Sequence, residues 1–232
     1  MATAVVWFRN ILRIHDNPLL DWACKSDEID SIIPLFVLDS GRDMGEGGLY
    51  SKNRMRFLYD SLIDLDDSLE RDYSARLAIL SGEPGSAIPL LCEELGMDSG
   101  WLVYDYRQDP DSRREAETIE VSLAEKGVKT RVFPSISTIL DVEEVIQSAG
   151  YRNPKSSNDI GEIIGRSLGK GPDGYMVSRP LNPPEEIEFD ERGFDSLINS
   201  ESLSGFVLTR DDIALRIGEL EEGAPYFRGG ET

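Results

Sequence analysis

Five short strand-like runs, the first four apolar, recur along the first 133 residues, and a segment with helical spacing follows each of those four. They lie at residues 3–8, 31–38, 77–80, 101–104 and 128–133. The first four lack the polar alternation of a strand with one wet face, so each reads as a strand buried on both sides; the more polar 128–133 reads as a fifth strand. Between them, Asp16-Asn17-Pro18 offers capping and first-turn chemistry for a helix through Leu19, Leu20, Trp22 and Ala23. Ser51 caps a longer helix to Tyr73, whose Met55, Leu58, Leu62, Leu65 and Leu69 recur at three and four. Further helices are expected from Ala87 to Leu95 and from Asp109-Pro110-Asp111 to Lys126. Strands alternating with helices require right-handed crossovers. The expected fold is therefore α/β: a five-stranded, doubly wound, parallel, Rossmann-like sheet covered on both faces. In such sheets ligands bind beyond the carboxyl ends of the strands, near the reversal in strand order.

The chemistry-bearing motifs are few. The turn after the first strand, Arg9-Asn10-Ile11-Leu12-Arg13, holds no glycine, so backbone amides cannot approach a pyrophosphate as they do in a GxGxxG turn. That argues against a nicotinamide dehydrogenase. The run from Gly165 to Gly171 has the wrong spacing for a P-loop and follows no expected strand; it reads as a loop. His15 is the only histidine and reads as a turn residue with local hydrogen bonds. No metal site and no catalytic residue is assigned. Glu93-Glu94 and Glu143-Glu144 read as solvated helix faces. Cys24 and Cys92 lack a CxxC or histidine neighbour and read as buried free thiols of a cytoplasmic protein.

The net charge of −20, from 24 basic and 44 acidic residues, is spread along the chain. It repels nucleic acid and suits a solvated acidic surface of the halophilic kind. After Pro134 the pattern changes. One more helix is expected at 142–149, the stretch 165–184 is rich in glycine and proline, and residues 135–232 read as a mostly irregular connector lying against the 1–134 core.

The segment Val6-Trp7-Phe8-Arg9-Asn10-Ile11-Leu12-Arg13-Ile14-His15-Asp16-Asn17-Pro18-Leu19 resembles the WFRxxLRxxDNPAL opening of photolyases and cryptochromes. Asn10 and Ile11 depart from the basic residue and Asp or Gly usual there. Phe36-Val37-Leu38-Asp39 resembles the family's second-strand FxLD, and Asn53-Arg54-Met55-Arg56-Phe57-Leu58 resembles the NRxRFL helix of the 6-4 photolyase and animal-cryptochrome branch. Gly82-Glu83-Pro84, Tyr104-Asp105-Tyr106 and Gly229-Gly230-Glu231-Thr232 also have counterparts, the last at the start of the family's flavin-binding helical domain.

The resemblance implies a light-harvesting antenna domain. Its chromophore would be an 8-hydroxy-deazaflavin, a methenyltetrahydrofolate or a flavin, lying at the carboxyl ends of the strands. By the same resemblance Val37, Leu38, Asp39, Arg54, Asp105 and Arg107 are its candidate contacts. Arg107 stands where deazaflavin binders usually carry an acidic residue, so the choice of chromophore stays open. FAD, the DNA-facing surface and photochemical repair would belong to a helical domain beyond Thr232, and repair by this chain alone is not expected. The parent protein would be a lyase repairing pyrimidine photoproducts or a blue-light receptor. The alternative is a stand-alone α/β module that binds a flavin, nucleotide or protein; a more distant one is a nucleotide-binding relative of electron-transfer-flavoprotein or universal-stress type.

Self-repulsion among the acidic groups gives a direct expectation. Raising KCl from millimolar to molar screens it and raises the thermal midpoint, measured by calorimetry.

Overall fold

A computed structural model describes residues 2–39, 51–105, 110–133, 182–190 and 199–220, together with 156, 158 and 197. The expected helix at 142–149, the glycine-rich stretch 41–48, which reads as a loop, the loop at 165–171, Glu143-Glu144, Arg107 and the motif at 229–232 lie outside them. Strands β1 (Thr3–Phe8), β2 (Ser31–Leu38), β3 (Ala78–Ser81), β4 (Trp101–Asp105) and β5 (Lys129–Phe133) alternate with helices α1 (Pro18–Lys25), α2 (Lys52–Tyr73), α3 (Pro84–Glu94) and α4 (Pro110–Glu125). A short strand β6 (Val207–Leu208) and helix α5 (Arg210–Glu219) follow.

The strand order is β5-β4-β1-β2-β3-β6. The first five strands pair in parallel, with Trp7 level with both Leu35 and Tyr104. β6 pairs antiparallel with β3, Leu80 opposite Val207. The sheet therefore has six strands where the strand-like runs predict five. A two-residue strand carries too little pattern to stand out, and its pairing comes from the exposed edge of β3, which it covers.

Burial explains why the runs of β1 and β2 are almost unbroken. On one face Ala4, Val6, Phe8, Ile32, Phe36 and Leu38 pack with residues of α1, α2 and α5. On the other, Val5, Trp7, Ile33, Leu35 and Val37 pack with residues of α3 and α4. Successive side chains enter opposite cores, so neither parity is polar.

The helix ends follow local chemistry. Asn17 caps α1, its Oδ1 accepting from the Leu19 and Leu20 amides at 3.1 and 3.4 Å. Ser51 caps α2 through the Arg54 amide. Thr209 and Asp212 form a reciprocal capping box at α5. The exposed His15 lies in the β1–α1 turn, where its carbonyl accepts from Arg13 Nε at 3.1 Å. Both cysteines are free thiols, Cys92 buried and Cys24 half-buried; burial pushes Cys92 up to about 12 and Cys24 up to about 11.

Late segments are fastened to the sheet at two places. Residues 188–190 run beside the start of β2, where the Ile32 amide donates to the Glu188 carbonyl at 2.7 Å. At the other edge α5 docks on α2 through Arg210, which pairs with Asp67 and lies 3.9 Å from buried Asp66. Asp66 also accepts from the Leu77 amide at 2.8 Å and from Arg76 at 3.3 Å. On the opposite edge, Lys129 of β5 sits 4.7 Å above the Trp101 ring, and Arg131 lies 5.2 Å from the Phe133 ring.

The turn from α4 into β5 needs Gly127. Its φ is +80°, and an added Cβ would lie 2.6 Å from the Asp98 carbonyl oxygen. Gly127→Ala combines left-handed strain with that clash, so it lowers stability by about 1–3 kcal/mol, measured by urea denaturation.

Candidate functional site

β1 leads to β2 and β3 on one side, whereas the chain reaches β4 and β5 by crossing to the other. The strand order thus reverses between β1 and β4, and the segments leaving their carboxyl ends part there. A doubly wound sheet opens its ligand crevice at this point.

Two layers of side chains line that point. On the α4 side, Arg9 follows β1 and is buried, 7% exposed. Its guanidinium lies 4.2 Å from the Trp7 ring centroid and 5.7 Å from that of Tyr104. Arg9 Nη2 donates to Glu115 Oε2 of α4 at 3.0 Å. Two buried aromatic faces and a carboxylate hold this cation where water cannot, and removing one charge of such a pair costs about 3–5 kcal/mol. Trp7 and Tyr104 are neighbours across the β1–β4 pairing, with ring centroids 5.6 Å apart. Tyr104 Oη donates to Glu120 Oε1 of α4 at 2.5 Å.

On the α1 side, Asp105 ends β4 and is 1% exposed. Exposed Asn10 donates its side-chain amide to Asp105 Oδ2. Asn10 stands where the family signature has a basic residue, so a neutral amide meets the acid here.

The candidate contacts fall into distinct groups. Val37 and Leu38 are 7% and 0% exposed and fill opposite cores, so their side chains form the floor of the sheet. Asp39 is half-buried just beyond β2. One strand separates it from Asp105, an offset of about 10 Å at ordinary strand spacing. Arg54 is exposed in the first turn of α2. Asp105 lies at the reversal itself. Sequence reasoning missed Arg9, Asn10, Tyr104, Glu115 and Glu120. Arg9 and Asn10 stood inside the opening signature, but their partners depend on β4 lying beside β1.

Hollows elsewhere do not coincide with this point. A cavity of about 120 Å³ lies among α2, β3, β6 and α5, and a groove of about 520 Å³ lies between α2 and α5. Among the described residues there is no cluster of three metal-binding side chains and no helix long and apolar enough to cross a membrane.

The DNA photolyase family model matches residues 4–156. The chain is 31% identical over 243 residues to a (6-4) DNA photolyase of Arabidopsis thaliana, covering all of this chain and 40% of that protein. It is 29% identical over 231 residues to cryptochrome-2 of Gallus gallus, covering 99% and 36%. An archaeal photolyase from Sulfolobus tokodaii has the same fold, with a TM-score of 0.68 at 20% identity over 98% of this chain and 44% of that one. A Synechocystis cryptochrome gives 0.68 at 18% identity, over 100% and 41%. The fold is thus that of the N-terminal α/β domain of photolyases and cryptochromes. The chain belongs to the photolyase/cryptochrome family, and it spans about 40% of the length of these relatives.

Tyr104 supplies a pH test of the site. Burial first, then the Glu120 hydrogen bond and charge, push its phenol far above the usual tyrosine range; Arg9 acts the other way. Below the ordinary tyrosine value of about 10 both folded and unfolded chains keep the proton; above it only the unfolded chain releases it. Stability contributed by Tyr104 is therefore complete below that value and lost as pH climbs past it. Tyr104→Phe shows a shallower alkaline loss of denaturation free energy than the native chain.

Proposed function

We propose that the crevice between the carboxyl ends of β1 and β4 holds a light-harvesting chromophore, and that the chain is the antenna domain of a photolyase or cryptochrome. The observation that carries this reading is the exposed Asn10 amide resting on buried Asp105 at the strand reversal, beside Arg9 stacked on Trp7. Flavins, deazaflavins and folates each present a ring edge that alternates N–H donors and carbonyl acceptors. Asp105 has the chemistry to accept from such an N–H in place of Asn10, and the Asn10 amide is then free to donate to a ring carbonyl. Asp39 and Arg54, one strand further along, would meet the more polar parts of the ligand. Bound there, the chromophore would absorb near-ultraviolet or blue light for transfer to FAD.

A flavin-type chromophore is the favoured class, since the Sulfolobus tokodaii photolyase was described with two FAD molecules and the implication of a novel light-harvesting cofactor. In the same reading, residues 1–134 are the antenna domain. Residues 135–232 form the connector, resting on the core through β6 and α5 and leading to a helical FAD domain. The parent protein would repair pyrimidine photoproducts by light or sense blue light, with DNA contacted through the helical domain. Its compartment would be the cytoplasm, and its acidic surface an adaptation to high salt.

The test is chromophore binding by the purified chain. Riboflavin-type, 8-hydroxy-deazaflavin and methenyltetrahydrofolate ligands are titrated by fluorescence and equilibrium dialysis. One of them binds and survives dialysis, and Asp105→Asn weakens it about tenfold, the loss expected for a buried charged hydrogen bond. A bare protein spectrum with no binding of any of the three would favour the module without photochemistry.

A further inference from the structure

Beside the crevice lies a set of redox-capable side chains that chromophore binding does not use. We infer that Trp7, Tyr104 and Glu120 form an oxidation relay, which moves an electron vacancy from the crevice toward the outer surface of α4. The inference rests on the chromophore reading for its oxidant, a photoexcited isoalloxazine or deazaisoalloxazine ring.

Three observations carry it. Trp7 and Tyr104 are 2% and 1% exposed, with ring centroids 5.6 Å apart, so electron exchange between them requires no motion and no water. Tyr104 Oη already donates to Glu120 Oε1 at 2.5 Å, so a proton acceptor is in place before oxidation. Glu120 is half-buried on α4, which gives the acquired proton a route to solvent.

The steps balance as follows. A photoexcited ring bound in the crevice would take one electron from the Trp7 indole, which becomes an indole radical cation. One electron then passes from the Tyr104 phenol to that cation, restoring Trp7. As it leaves, the Oη–H bond breaks and its proton forms a new bond to Glu120 Oε1. The products are a neutral tyrosyl radical and a neutral carboxylic acid. In sum the ring gains one electron, Tyr104 loses one electron and one proton, and Glu120 gains the proton.

The phenol gives the relay its direction. Unlike the indole, it can shed its proton to Glu120 as it is oxidised and end as a neutral radical, so no positive charge is left in the buried setting. Burial and Glu120 together also keep Tyr104 a neutral phenol beforehand, with the proton on Oη.

The deciding experiment uses the chain without chromophore. An ultraviolet laser flash photoionises tryptophan, and the part of the indole-radical signal lost in Trp7→Phe isolates Trp7 from Trp22 and Trp101. This component decays as a tyrosyl radical grows in, and more slowly in D2O. Its decay slows about tenfold in Tyr104→Phe and in Glu120→Gln, which keeps a hydrogen-bond acceptor but takes no proton. The D2O effect disappears in Tyr104→Phe. Equal decay in the native chain and both variants overturns the relay, as does an unchanged tyrosyl yield in Tyr104→Phe. A failure of all three chromophore classes to bind would instead overturn the crevice reading, so the two failures are separable.

Discussion

The structure depends on β1 having a parallel neighbour on each side. Trp7 is level with Leu35 of β2 and Tyr104 of β4, and every residue from Ala4 to Phe8 is buried. A strand in that position has no wet face, so its composition must be apolar throughout; its two ends are the only places where polar chemistry can begin. It begins at Arg9, the first residue after the strand. Because the chain winds outward from β1 in both directions, the polar ends of β1 and β4 meet where the connections part. Placement of a ligand crevice and burial of the central strand are thus two results of one pairing pattern.

The same arrangement accounts for the electrostatics of the site. The chain as a whole carries a net charge of −20, yet an arginine is buried at this point. Glu115 neutralises it, and the faces of Trp7 and Tyr104 replace its hydration. On the other side of the sheet the Asn10 side-chain amide meets Asp105. Basic and acidic groups at the crevice are therefore divided between the two faces of the sheet. The overall acidity, which opposes nucleic acid, says little about so local a pattern.

Much of the fold was legible because its main signals are local. Strands β1 to β4 follow from contiguous apolar runs, and α1 and α2 start at the residues whose side chains cap them, Asn17 and Ser51. β6 was not legible, since Val207 and Leu208 become a strand only by meeting the edge of β3. The site divides in the same way. Asp105 stood out by its match to a family segment, but Asn10, Glu115 and Glu120 acquire their roles from strand order and from the packing of α4, which no short window records. Val37 and Leu38 matched a family segment in sequence, while their burial in opposite cores follows from the two-sided cover of β2.

The outermost strands of the sheet end it in different ways. β3 is closed by the antiparallel addition of Val207 and Leu208, whereas β5 presents Lys129 and Arg131, each placed against an aromatic ring. One border is thus covered by the chain itself, while the other sets charged side chains beside the strand, Lys129 also pairing with Glu28 at 3.0 Å; both features disfavour the addition of a strand from another copy.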